Sequence, residues 1–239
     1  MFKEHGYDES YAKYCDHTCL RAYTTPQKIV EFCDEAKRFG AYAVCVNPIH
    51  VALVAKELAG TDVKVAAVIG FPLGANKTCI KAMEAAEAVK DGANEVDMVI
   101  NIGYLRAGDY EFVYNDIKAV VDAVQGKAGV KVIIETCYLN DIEKIAACVI
   151  SEKAGASFVK TSTGMGTGGA TLHDIQLMQR TVHYPVKVKA SGGVDNRAAA
   201  YKFLQAGCDR LGVSRVPQIV NDDTSIVSAA ATNKPPKYD

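Results

Sequence analysis

Apolar positions along the chain fall into short, β-branched runs separated by longer stretches with a helical period. The runs at 13–17, 42–46, 63–69, 95–100, 130–134, 157–160, 186–189 and 210–213 are nearly continuous in hydrophobicity, the pattern of strands buried on both faces. Between them the spacing predicts helices over 25–39, 48–59, 76–91, 110–126, 139–154, 171–182, 195–206 and 215–231. In the third of these, Ile80, Met83, Ala86 and Val89 or Ala88 are expected to share the apolar face. Thr24-Thr25-Pro26 and Asn140-Asp141 are helix-start signals. Glycines at 40, 60, 92, 126, 155 and 207 stand where a helix must hand over to the next strand through a left-handed residue. Eight strand–helix pairs predict a parallel sheet with crossover helices, either doubly wound or closed. The count of eight, a length of 239 residues and the lack of a dinucleotide-type glycine fingerprint after the first strand favour the closed form. The expectation is an α/β fold, a (β/α)8 TIM barrel formed as a single domain by residues 1–231, with a flexible tail over 232–239.

Composition narrows the function. The 27 basic and 28 acidic residues leave a formal charge of −1, which gives no basic surface excess for nucleic acid. No apolar run is long enough to span a membrane, and residues 1–10 lack the apolar core of a signal peptide. The eight cysteines are scattered without a C-x-x-C pair, so free thiols in a reducing cytoplasm are expected, without zinc. His5, His17, His50, His173 and His183 are dispersed, which argues against a metal-dependent reaction.

In such a barrel, chemistry gathers where strands end. Asp16, His17, Cys45, Asn47, Asp97, Asn101, Glu135, Lys160 and Lys189 all sit at predicted strand ends. An unpaired buried charge costs several kcal/mol, so several on one face imply a use. Lys160 closes an apolar strand and runs into Thr161-Ser162-Thr163-Gly164. Lys189 has the same placement before Ala190-Ser191-Gly192-Gly193, and alternation puts Lys187 on the same face but farther from the strand end. Two lysines on neighbouring strands with Asp97 across the mouth form a known kind of device. A free lysine is neutral in only roughly one molecule in 2,500 at pH 7. Desolvation and a second ammonium nearby lower its pKa; bringing it to about 7 takes roughly 4–5 kcal/mol. The neutral amine then attacks a carbonyl, and the imine serves as an electron sink when a carbon–carbon bond breaks. His17 is expected to bond a neighbouring loop, and Glu135 either to pair with a barrel lysine or to serve the pocket.

Six segments carry a resemblance: Asp16-His17-Thr18, Val44-Cys45-Val46-Asn47-Pro48, Val68-Ile69-Gly70-Phe71-Pro72-Leu73-Gly74, Glu95-Val96-Asp97-Met98-Val99-Ile100-Asn101, Val159-Lys160-Thr161-Ser162-Thr163-Gly164 and Val188-Lys189-Ala190-Ser191-Gly192-Gly193. Together and in this order the chain resembles the deoxyribose-phosphate aldolase family, class I aldolases on a (β/α)8 barrel. The resemblance implies Lys160 as the Schiff-base lysine, Lys189 as the lysine that perturbs it, and Asp97 as the proton shuttle. It implies a substrate pocket lined by Asp16 and Cys45, with Thr163, Gly164, Gly192, Gly193, Ser214 and Arg215 also taken as substrate-binding. It further implies reversible cleavage of 2-deoxyribose 5-phosphate to glyceraldehyde 3-phosphate and acetaldehyde, no cofactor, and a homodimer. Tyr238 stands near the C-terminus, where some members use a tyrosine in proton transfer.

The phosphate end departs from the family pattern. Asp195 stands where an arginine is usual, Met165 where some members have lysine, and Gly212-Val213-Ser214-Arg215 replaces a run ending in two serines. Either Arg215 compensates, with Arg197 the other candidate, or the chemistry runs on an unphosphorylated deoxysugar or small aldehydes. The rival functions are a sugar-phosphate isomerase or epimerase working with carboxylates, and a non-catalytic sugar-phosphate-binding barrel.

Overall fold

A computed structural model describes residues 2–223. Eight parallel strands close in sequence order into a barrel: β1 Cys15–Cys19, β2 Ala43–Val46, β3 Lys64–Ile69, β4 Glu95–Val99, β5 Gly129–Ile133, β6 Phe158–Lys160, β7 Lys187–Ser191 and β8 Arg210–Val213. The helices are α1 Pro26–Phe39, α2 Val51–Glu57, α3 Thr78–Lys90, α4 Ile102–Arg106, α5 Tyr110–Ala123, α6 Asp141–Lys153, α7 Leu172–Thr181, α8 Arg197–Gln205 and α9 Val216–Asn221. The expected (β/α)8 architecture is the observed one. Among the described residues no helix is long and apolar enough to cross a membrane.

Local chemistry sets the helix ends. The Thr25 side chain accepts from the Lys28 amide with Pro26 in the first turn of α1, and Gly40 at φ 69° ends that helix. Asn140 and Glu143 cap α6 reciprocally. Alternation along each strand then sorts side chains into two layers. Val44, Val46, Ala67, Ile69, Val96 and Met98 face outward and pack in the main core beneath the helices. Ala43, Cys45, Ala66 and Val68 face inward and form a small apolar patch on one side of the barrel interior.

Four expectations change. The first strand begins two residues late, because Glu9–Tyr14 forms a 3-10 helix capped by Asp8, with Tyr11 fully buried. The short helix α4 was not expected; Asn101 starts it by accepting from the Tyr104 amide, and five residues are too few to show a period. The expected final helix 215–231 is α9 up to Asn221, where Asp222 takes a left-handed conformation. The remainder of that stretch, the tail 232–239 and Tyr238 lie outside the described residues.

The fourth change concerns α3. Its buried face is Lys81, Ala85 and Ala88, while Ile80 and Met83 are exposed. Small residues let α3 approach α5 closely, and the Lys81 ammonium spans the gap. It donates 2.6 Å to Asp116 Oδ2 on α5 and 2.9 Å to the Val99 carbonyl, while Thr78 donates to Asp116 Oδ1. Desolvation lowers the Lys81 pKa, opposed by the Asp116 charge. Removing one member of a buried pair strands the other. Lys81→Met is therefore expected to cost about 3–5 kcal/mol, read as a drop in the urea midpoint. A midpoint within error of the parent would show that Asp116 does not depend on this partner.

Candidate active site

The barrel interior is filled with charge rather than with aliphatic layers. Asp16 on β1, Glu95 and Asp97 on β4, Lys131 on β5, Lys160 on β6, Lys189 on β7 and Arg210 on β8 are all buried. Lys160 and Lys189 lie in register on paired strands, as do Asp97 and Lys131. Asp97 joins them: Oδ2 accepts 2.8 Å bonds from both Lys160 and Lys189, and Oδ1 accepts a 2.7 Å bond from Lys131. Asp16 also bridges, with Lys189 on Oδ2 and Arg210 on Oδ1 at 2.9 Å. Below them Glu95 Oε2 stands 2.6 Å from Lys131 and 3.2 Å from Arg210. The Arg210 guanidinium lies over the Tyr42 ring at 3.3 Å, with the Phe158 ring 5.2 Å away.

These surroundings push the two strand-end lysines in opposite directions. Desolvation lowers the Lys160 pKa; the Asp97 charge opposes this and the Lys189 ammonium reinforces it. For Lys189, desolvation is overcome by the Asp16 and Asp97 carboxylates, so its pKa is raised and it stays an ammonium. Burial works to raise the Asp97 pKa, but three ammonium groups hold it well below the usual carboxylate range. One amine in the cluster is thus biased toward the neutral form beside a cation and an anion that keep their charges.

Of Lys160, Lys189 and Asp97, only Lys160 opens onto a cleft of about 500 Å³ above the barrel. Thr163, Gly164, Gly192, Gly193, Ser214 and Arg215 line this cleft, as do Asp195 and Met165. Asp97 and Lys189 lie fully buried beneath it. So do Asp16 and Cys45, which were expected in the pocket wall: alternation turns both into the barrel, under the mouth. Arg197 is not a phosphate ligand. Its guanidinium is buried against Tyr11 and donates to the carbonyls of Gly6, Ile219 and Val220. Arg215 makes no ion pair among the described residues and keeps its charge available to the cleft.

The loop after β6 is held from both sides. Glu135, at φ 54°, accepts from the Thr163 amide at 3.1 Å and from the Thr163 hydroxyl, so it pairs with no barrel lysine and braces the loop instead. A Cβ on Gly169 would lie 2.3 Å from the Gly192 carbonyl oxygen, so this loop and the one after β7 close on each other only without a side chain there. His17 faces outward, stacked on Phe32 and 2.9 Å from Glu35 Oε2; its partner is helix α1 rather than a loop.

Sequence reasoning missed Lys131, Glu95 and Arg210, together with Arg21 in the β1–α1 connection and Lys28 in the first turn of α1, both of which line the cleft. Lys131 carried a signal, being a lone charge inside the apolar run 130–134. Glu95 and Arg210 are the first residues of their strands, where a charge carries no sign of burial. Among the described residues no group of three or more His, Cys, Asp or Glu side chains is placed to hold a metal ion.

The family model for DeoC/LacD aldolases matches residues 11–207. The chain belongs to this aldolase family. As an aldolase it is a carbon–carbon lyase. The chain is 54% identical to the deoxyribose-phosphate aldolase of Aciduliprofundum boonei over 210 residues, spanning 87% of this chain and 95% of that protein. It is likewise 54% identical to that of Bacillus cytotoxicus over 212 residues, 89% and 95% of the two chains. Among solved structures, a tetrameric deoxyribose phosphate aldolase from Aeropyrum pernix superposes with a TM-score of 0.82 at 29% identity, over 89% of this chain and 90% of that one.

Cys45 offers a direct test of the barrel interior. Burial pushes its thiol pKa up to about 11, whereas Cys79 is exposed. An aromatic disulfide reagent at pH 8 is expected to label Cys79 in the folded protein and to reach Cys45 only after unfolding, as read by peptide mass spectrometry. Rapid native labelling of Cys45 would contradict its placement.

Proposed function

We propose that this aldolase reversibly cleaves 2-deoxyribose 5-phosphate to glyceraldehyde 3-phosphate and acetaldehyde through a Schiff base on Lys160. The observation that carries the proposal is the pairing of a buried Lys160 amine, biased toward its neutral form, with the Asp97 carboxylate and the Lys189 ammonium at the base of a substrate-sized cleft. The names of the Aciduliprofundum and Bacillus relatives supply the substrate.

Lys160 Nζ attacks C1 of the open-chain sugar, and loss of water leaves a protonated imine. A base takes the C3 hydroxyl proton; the C2–C3 bond breaks, and its electrons flow to the iminium to give an enamine and free glyceraldehyde 3-phosphate. Protonation at C2 and hydrolysis release acetaldehyde and return the amine. Asp97, touching both lysines through one oxygen, is positioned to relay these protons, and the fixed charge of Lys189 keeps the resting Lys160 from holding its own. Asp16 accepts from Lys189 and holds it in place, and Cys45 fills space beside the pair. At the other end of the cleft, Gly192, Gly193, Ser214 and Arg215 would receive the phosphate, with Thr163 and Gly164 along the sugar. Asp195 shares this wall and opposes a dianion, so Arg215 is the residue on which phosphate preference depends. A cytoplasmic homodimer accompanies this proposal, supported by the scattered cysteines and by exposed apolar side chains such as Ile49, Leu73 and Met83.

Borohydride reduction in the presence of 2-deoxyribose 5-phosphate is expected to leave an adduct on Lys160, located by peptide mass spectrometry. Lys160→Ala should abolish the adduct and lower kcat by about four orders of magnitude or more. The ammonium form cannot attack, so trapping should rise with pH through a Lys160 pKa below the 10.5 of an ordinary lysine. An adduct elsewhere, or none on folded protein, would overturn the mechanism. Arg215→Met is expected to raise KM for the phosphorylated sugar about tenfold or more while leaving unphosphorylated 2-deoxyribose unchanged. Equal effects on both sugars would remove Arg215 from the phosphate site.

A further inference from the structure

The charges sealed inside the barrel do not balance. Three carboxylates, Asp16, Glu95 and Asp97, face four bases, Lys131, Lys160, Lys189 and Arg210. With every group ionised the cluster carries one net positive charge in a region almost without water, and losing one proton makes it neutral. We propose that Glu95 and Arg210, at the floor of the barrel, set this balance and thereby decide the pH at which Lys160 becomes the neutral amine. The inference rests on Lys160 as nucleophile but assigns new residues to its control.

The geometry selects Lys160 as the base that yields. Arg210 is held by Asp16, Glu95 and the Tyr42 ring face. Lys131 has both Asp97 and Glu95 within 2.7 Å, and Lys189 has both Asp16 and Asp97. Lys160 has a single carboxylate, Asp97, and that one is shared. The direction of its pKa shift agrees with this order. No other charge enters the balance from the barrel walls. The inward residues of β3 within the barrel, Ala66 and Val68, are apolar, Lys64 of the same parity is exposed to water at the lower rim, and the Cys45 thiol of β2 remains protonated below a pKa of about 11. Lys187 of β7 faces inward at the lower rim, but it is exposed with its ammonium over the Phe158 ring and is screened by water. Glu135 is committed to Thr163, and the His17–Glu35 pair lies outside the barrel.

Neither Glu95 nor Arg210 touches Lys160: Glu95 reaches it through Lys131 and Asp97, Arg210 through Asp16, Lys189 and Asp97, and the Glu95–Arg210 and Lys131–Asp16 pairs join the two routes. Neither lines the cleft. They are positioning residues whose action on the amine is electrostatic. Removing the Glu95 charge leaves two carboxylates against four bases, and Lys160 must give up its proton more readily. Removing the Arg210 charge leaves three against three, and Lys160 keeps it. Removing both restores a single excess positive charge.

The test is the pH dependence of Lys160 trapping by 2-deoxyribose 5-phosphate and borohydride in the full chain, with the adduct quantified by peptide mass spectrometry. Wild type is measured first: absence of a Lys160 adduct there defeats the Schiff-base proposal itself, and this inference falls with it. Given that adduct, Glu95→Gln is expected to move the apparent pKa down by about one unit, and Arg210→Met to move it up by a similar amount. The double variant should return near the wild-type value, and Arg210→Lys, which keeps the charge, should hold it. A merely structural role would weaken trapping in every variant without opposed shifts. If Arg210→Met does not fold, Glu95→Gln decides alone, since it preserves shape and removes only charge. An apparent pKa that stays put or rises in Glu95→Gln overturns the proposal.

Discussion

A carboxylate buried among ammonium groups is the interaction on which the rest of the site depends. Asp97 has no access to water and accepts from Lys131, Lys160 and Lys189. Each of these ions alone would cost several kcal/mol to desolvate, so none is tolerable in the barrel without the others. The same mutual dependence leaves the amine with the fewest carboxylates least able to hold its proton. Stability and reactivity therefore come from one arrangement of charge.

The barrel makes this arrangement possible by dividing each strand between two environments. Outward side chains such as Val44, Ile69, Val96 and Met98 bury apolar area under the helices and supply the cohesion that a charged interior cannot. Inward positions are released from that duty. On the β2–β3 side they are small, Ala43, Cys45 and Ala66, and leave room for the long side chains arriving from β5 to β8. Above, glycines at the ends of β6 and β7 let two loops meet, with Glu135 fixing one of them through Thr163. The Lys160 amine is thereby presented at the foot of a cleft while its partners stay dry.

Membership in the aldolase family and the charged interior bear on different questions. The family match and the relatives establish the class of chemistry. The interior explains why a lysine in this particular barrel is suited to it. The wall carrying Asp195 and Arg215, which make no ion pair among the described residues, is where the cleft departs from the family's sequence pattern.

Much of this was legible in the chain itself. Strand positions, the eightfold alternation and the caps of α1 and α6 follow from local rules: continuous apolar runs, Thr25-Pro26 and the Asn140–Glu143 pair. Lys160, Lys189 and Asp97 were visible because each interrupts or closes an apolar strand next to a flexible loop. Glu95 and Arg210 were not, because a charge at the start of a strand looks the same whether it meets water or a partner 115 residues away. Lys81 was hidden for the same reason, since its partner Asp116 lies on another helix, and the apolar period of α3 pointed to Ile80 and Met83 instead. Arg197, an apparent phosphate ligand by position, proved committed to backbone carbonyls brought from both ends of the chain. Most strand positions, the alternation of their faces and the types of group near the strand ends were already set along the chain, because period and propensity act between near neighbours. Only closure of the barrel decided which charges meet, and therefore which lysine is biased toward its neutral form, because electrostatic energy depends on distances in space that no local pattern encodes.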